Sequence, residues 1–180
     1  NWTDRGTCIL FGDGAGAAVI QAGEGTFYTP ATHSEGTKGE ALTCRSRHDE
    51  SRLSDAIRQY PKEAYQMQMD GRAVFQFAVK KVPDVIREVL EKNEVGKEEV
   101  DWYILHQANQ RIVEGVAKRL KEPLEKFPMN LMEYGNTSSA SIPILLDELK
   151  KDGRLKRGQK VILAGFGAGF TWGASLLEWK

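Results

Sequence analysis

Residues 100–120 read "VDWYILHQANQRIVEGVAKRL", and a change of period inside this stretch limits the fold more than any other feature. Val100, Trp102, Tyr103, Ile104 and Leu105 make a run of β-formers suited to a buried strand. Beyond it Ile112, Val113, Val116, Ala117 and Leu120 recur at helical spacing, with Gln110, Arg111, Glu114, Lys118 and Arg119 on the opposite face. A strand that passes so soon into an amphipathic helix belongs to an α/β protein. His106 falls at the junction. In open α/β sheets that rim is where ligands bind; a core or capping histidine with its ring nitrogens satisfied locally fits the same place.

The rest of the chain fits the same class. Residues 72–92 form the longest helical pattern, with Val74, Phe75, Ala78, Val82, Val85, Ile86, Val89 and Leu90 along one stripe. Pro83 lies inside it, where a kink is expected. A further helix follows the turn-rich "YGNTSSAS" (134–141) through Ile142, Leu145, Leu146 and Leu149, and closes at Gly153. "TCILF" (7–11), "AAVIQA" (17–22), "YQMQM" (65–69), "QKVILAGF" (159–166) and "FTWGASLLEW" (170–179) read as strands. The polar residues 36–63 read as a long surface excursion, with His33 and His48 in the solvated region. The order predicts one α/β domain over residues 1–180, with helices packed on a mixed five-stranded sheet.

Composition removes several function classes. Lys plus Arg and Asp plus Glu each total 25, so a whole-surface attraction to nucleic acid or to an anionic membrane is not expected. No run of eighteen apolar residues marks a membrane span. Cys8 and Cys44 lack metal-ligand spacing, so neither a metal site nor a disulfide framework is expected. Cys8 reads as a small buried hydrophobe, and Cys44, beside Arg45 and Arg47, as a polar-segment thiol. Such cysteine usage fits a reducing, cytoplasmic compartment. Gly12, Gly14 and Ala17 nearly match a dinucleotide-binding loop, but no helix pattern follows, so a strand–turn–strand is expected. The chain opens "NWTDRGT" without an initiator methionine and reads as a piece of a longer protein.

Three loops carry complementary chemistry: His106, the asparagine of "GNTSSAS", and the glycine turn "FGAGF". A neutral imidazole and a carboxamide both donate hydrogen bonds without burying charge, and together can hold a carbonyl as it becomes an enolate. A glycine-flanked turn lets a backbone N–H approach a reacting carbonyl.

"TDRGTCILFGDGAGAAVI", "ILHQANQRI", "YGNTSSASIP" and "GFGAGFTWG", in that order, resemble the C-terminal half of the bacterial β-ketoacyl-acyl-carrier-protein synthase III family. The resemblance implies one half of a thiolase-like fold. It also implies a decarboxylating Claisen condensation of an acyl-coenzyme A, typically acetyl, with malonyl-acyl carrier protein, which initiates type II fatty acid synthesis. It assigns catalysis to His106 and Asn136 and an oxyanion-hole N–H to Ala168, where the family usually has glycine. Arg5 and Asn109 are implied to bind coenzyme A, and Gln107, Ala108, Asn109, Gln110 and Arg111 to meet the acyl carrier protein. No cofactor is implied, since both thioesters are substrates, and the intact enzyme is expected to be a homodimer.

The family's nucleophilic cysteine lies in a motif like alanine-cysteine-serine-glycine, which does not occur here. The chain is therefore expected to hold the decarboxylation half of a site, to need a missing N-terminal half, and to be inactive alone. Truncation is expected to bare an apolar face, with Val82, Ile86, Leu146 and Leu149 as candidates for it or for the local core. The competing readings are a non-catalytic module that binds carrier protein or coenzyme A, and a related polyketide-type initiating synthase.

Overall fold

The computed structural model describes residues 1–44 and 66–180. Its main sheet has four strands in the order β1 (Ala31–Ser34), β6 (Thr171–Glu178), β5 (Lys160–Gly167), β4 (Trp102–Leu105). β4 and β5 run parallel, while β5–β6 and β1–β6 are antiparallel, so the sheet is mixed. Two short strands, β2 (Leu42–Thr43) and β3 (Gln68–Met69), pair apart from it. The helices are α1 (Gly71–Lys92), α2 (Gln110–Leu120), the single turn α3 (Leu131–Tyr134) and α4 (Ser141–Lys151).

Strand alternation divides the core into two layers. Tyr103, Leu105, Ile162, Ala164, Ala174 and Leu176 pack with the apolar stripes of α1 and α2. Ile104 and Val161 point the other way, onto Leu145 and Leu149 of α4. The sheet is thus covered by α1 and α2 on one face and by α4 on the other. α1 starts at Asp70, whose carboxylate accepts the N–H groups of Arg72 and Ala73 at 3.0 Å, and it continues through the buried Pro83. α2 is capped by Asn109 and ends at Lys121 in the left-handed region (φ 57°).

Four expectations change. The sheet has four strands among the described residues, not five. Residues 7–11 turn instead of extending, because the Asp4 carboxylate gathers the Gly6 N–H and the Thr7 hydroxyl. Only Phe11 makes a β-bridge, parallel to Asn136. Residues 17–22 form no strand, since no neighbour among the described residues supplies a ladder, and Val19 and Ile20 are 98% and 95% exposed. His33 is exposed but sits in β1, stacked on Trp172 at 5.3 Å and 2.6 Å from Glu88. The long polar excursion and His48 lie mostly outside the described residues, as does Tyr65 of the expected strand 65–69.

Candidate active site

β4 carries His106 to the rim of the sheet. Its backbone N–H bonds Ala164 O at 2.9 Å, which extends the β4–β5 pairing by one residue and fixes where the ring emerges. Nδ1 lies 2.7 Å from Ser141 Oγ, and that oxygen also accepts the Gln107 N–H at 3.2 Å. Phe166 of β5 meets the ring edge-on at 5.3 Å between centroids. In these surroundings burial pushes the pKa down to about 4. The ring is therefore neutral near pH 7, and Nε2 bonds nothing among the described residues.

A clasp between two loops positions Asn136. Its N–H bonds Leu10 O at 2.8 Å, and its carbonyl accepts the Gly12 N–H at 3.0 Å. Glycine is required on both sides. A Cβ on Gly12 would lie 2.0 Å from Tyr134 O, and Gly135 (φ 67°) faces Leu10 O. Gly12 thus serves a backbone contact and not a dinucleotide turn. Asn136 Oδ1 accepts the Ser138 N–H at 2.9 Å, and its Nδ2 donors have no hydrogen-bond partner among the described residues.

His106 and Asn136 line one cavity of about 490 Å³, together with Asn109, Arg111, Ala168 and Cys44. A second hollow of about 820 Å³ shares His106 and is bounded by Ser141, Phe166 and Trp172. Ala168 is exposed on the turn joining β5 to β6. Asn109 Oδ1 caps α2 by accepting the Arg111 N–H at 2.9 Å, so that side chain is partly committed to the helix. Ala108 lines the same cavity, Gln110 bonds Glu114 at 2.7 Å, and Arg111 is exposed in the first turn of α2. Among the described residues no cluster of three or more His, Cys, Asp or Glu could hold a metal ion. No described helix is long and apolar enough to cross a membrane.

Gln107 departs from its expected place on the docking surface. It is 0% exposed; its Nε2 donates to Leu105 O at 2.8 Å and its Oε1 accepts the Asn130 N–H at 3.2 Å. Asn130 Nδ2 in turn donates to Glu148, which also accepts the Tyr134 hydroxyl, each at 2.6 Å. Gln107 is thus an internal tie between the histidine loop and the asparagine loop, not a contact for another protein. Arg5 is exposed on the N-terminal turn and does not line the cavity. Sequence reasoning missed Ser141 and Phe166. Ser141 stands among three serines of a turn-rich run, and nothing in their spacing marks it out.

Residues 90–179 match the family described as 3-oxoacyl-[acyl-carrier-protein (ACP)] synthase III C terminal, and residues 1–36 match 3-oxoacyl-[acyl-carrier-protein (ACP)] synthase III. The chain is 45% identical to the beta-ketoacyl-[acyl-carrier-protein] synthase III of Microcystis aeruginosa, covering 99% of this chain and 54% of that one. It is 46% identical to the protein of the same name from Clostridium novyi, over 100% and 55%. The crystal structure of 3-oxoacyl-[acyl-carrier-protein] synthase III from Aquifex aeolicus superposes with a TM-score of 0.86 at 41% identity, over 99% of this chain and 53% of that one. A Pseudomonas aeruginosa synthase III structure gives 0.85 at 36%, with the same coverage. The chain spans about half the length of the curated relatives it matches.

Proposed function

The chain belongs to the 3-oxoacyl-[acyl-carrier-protein] synthase III family and has one half of its thiolase-like fold, and on that premise we propose that it supplies the decarboxylating half of a condensing site. The observation that carries this is the meeting, on one cavity, of a neutral His106 with an unused Nε2 and an Asn136 whose Oδ1 is already bonded. Both side chains then present N–H donors to the same space, and a pair of donors suits an oxygen that gains negative charge.

In this reading a malonyl thioester enters with its carbonyl oxygen between His106 Nε2–H and Asn136 Nδ2. Carbon dioxide leaves, the electron pair of the broken bond forms an enolate, and the two donors hold its oxygen. The enolate carbon then attacks the carbonyl of an acyl group, typically acetyl, carried as a thioester on a cysteine outside this chain. The tetrahedral oxyanion collapses, the carbon–sulfur bond breaks, and its electron pair leaves with the cysteine thiolate. The Ala168 N–H serves the oxyanion of that attack. Arg5 takes the adenine end of coenzyme A, and Asn109 lies along its pantetheine arm. Arg111, exposed beside the cavity mouth, receives the acidic carrier protein.

The test uses the protein at the length its gene encodes. His106→Ala and Asn136→Ala should each lower malonyl decarboxylation about a hundred- to thousandfold, while label transfer from acetyl-coenzyme A to the protein survives. Equal loss of both half-reactions would overturn this division of labour. Binding of coenzyme A and carrier protein without either half-reaction would make the protein a module without chemistry.

A further inference from the structure

We propose that Ser141 is a positioning residue that sets the tautomer of His106, an inference resting on the reading of His106 as a donor to substrate oxygen. Ser141 is 2% exposed at the first position of α4. Its hydroxyl oxygen has two recorded partners, the Gln107 N–H at 3.2 Å and His106 Nδ1 at 2.7 Å. The backbone N–H is able only to donate, so Oγ accepts there. The hydroxyl proton needs an acceptor of its own, and Nδ1 is the one within reach.

The reverse arrangement fails on counting. If Nδ1–H donated to Ser141, the oxygen would receive two N–H groups and the hydroxyl proton would have no recorded acceptor. A buried donor left unpaired is penalised by its full desolvation cost. Nδ1 therefore accepts, and a neutral ring must then carry its proton on Nε2, the nitrogen with no partner among the described residues. The spacing is set by packing. Ile104, two residues before the histidine, shares one apolar cluster with Leu145 and Leu149 of α4. The strand bearing His106 and the helix bearing Ser141 are held together by that cluster.

The experiment records nitrogen-15 spectra of labelled histidine in the protein at the length its gene encodes, beside single-turnover kinetics. Neutral His106 should show a protonated Nε2 and a bare, hydrogen-bonded Nδ1. Ser141→Ala, and Ser141→Cys with its weak donor and similar volume, should both release the Nδ1 bond and admit the Nδ1–H form. Malonyl decarboxylation should fall about tenfold in kcat, the value of one net hydrogen bond, with little change in KM. Acylation from acetyl-coenzyme A should be unchanged, which also shows that the variants fold. A proton on Nδ1 in the unchanged protein, or variants that keep both the tautomer and the rate, would overturn the assignment. Full decarboxylation by His106→Ala would instead overturn the functional reading, and the catalytic meaning of the serine with it.

Discussion

A histidine held neutral inside a fold leaves a trace in stability as well as in chemistry. His106 has a pKa pushed down to about 4 by burial, against an ordinary value of 6.5. Between those two values the unfolded chain binds the proton and the folded chain does not. Stability due to this group is therefore fully present above about pH 6.5 and is lost as pH falls through the window toward 4. Thermal melts between pH 7 and 4.5 should show a steeper decline for the unchanged protein than for His106→Gln. Parallel curves would mean that His106 titrates like an exposed histidine. The position of this residue was legible because a buried strand running into an amphipathic helix has only one rim. Its partner Ser141 was not, since a contact made by residues 35 apart leaves no mark in local spacing. Gln107 failed for a related reason: its burial comes from Asn130 and Leu105, and polarity alone reads as surface.

The clasp between residues 10–12 and 134–136 makes a sharp prediction about backbone. Gly12→Ala would place a methyl carbon 2.0 Å from Tyr134 O, so one of the two loops must move. Stability should fall by roughly 1–3 kcal/mol, as for other backbone conflicts. Decarboxylation should fall further than acylation, because Asn136 moves with its loop. Unequal loss in the opposite sense would place the clasp elsewhere in the mechanism. α2 carries a different expectation. Arg111, Lys118 and Arg119 are all exposed on it. Arg111→Glu should raise KM for malonyl-acyl carrier protein far more than for malonyl-coenzyme A, and the defect should shrink in salt, since exposed charges are screened over about 10 Å at 0.1 M. Equal defects with both donors would remove Arg111 from docking. The helices themselves were readable from their stripes, the first beginning at Gly71 beside the expected residue 72, whereas the Asp70 and Asn109 caps were not read from the sequence. The strands at residues 7–11 and 17–22 were not, because a β-former extends only where another strand is there to pair with it.

Among the described residues most of the exposed large apolar side chains lie on the N-terminal arm, with Met132 of α3 a further one at 74%. Val82, Ile86 and Leu149 are buried and Leu146 is half-buried, whereas Trp2, Ile9, Val19, Ile20 and Phe27 are between 67% and 98% exposed. Exposed apolar patches of this kind favour association, and a formal net charge of zero does little to oppose it. Light scattering on the 180-residue chain should report self-association that weakens in Val19→Asp/Ile20→Asp. A well-dispersed monomer at high concentration would count against this. The arm is nevertheless not expendable. Leu10 and Gly12 hold Asn136, while the stretch from residue 17 to residue 27 makes no strand. That asymmetry has a consequence for anyone dividing the protein in two for complementation. A break introduced after residue 17 and before Ala31 would leave the asparagine loop with its clasp supplied by the other piece. The His106 piece would then recover a formed Asn136 only on reassembly, so decarboxylation itself would report that the pieces had met.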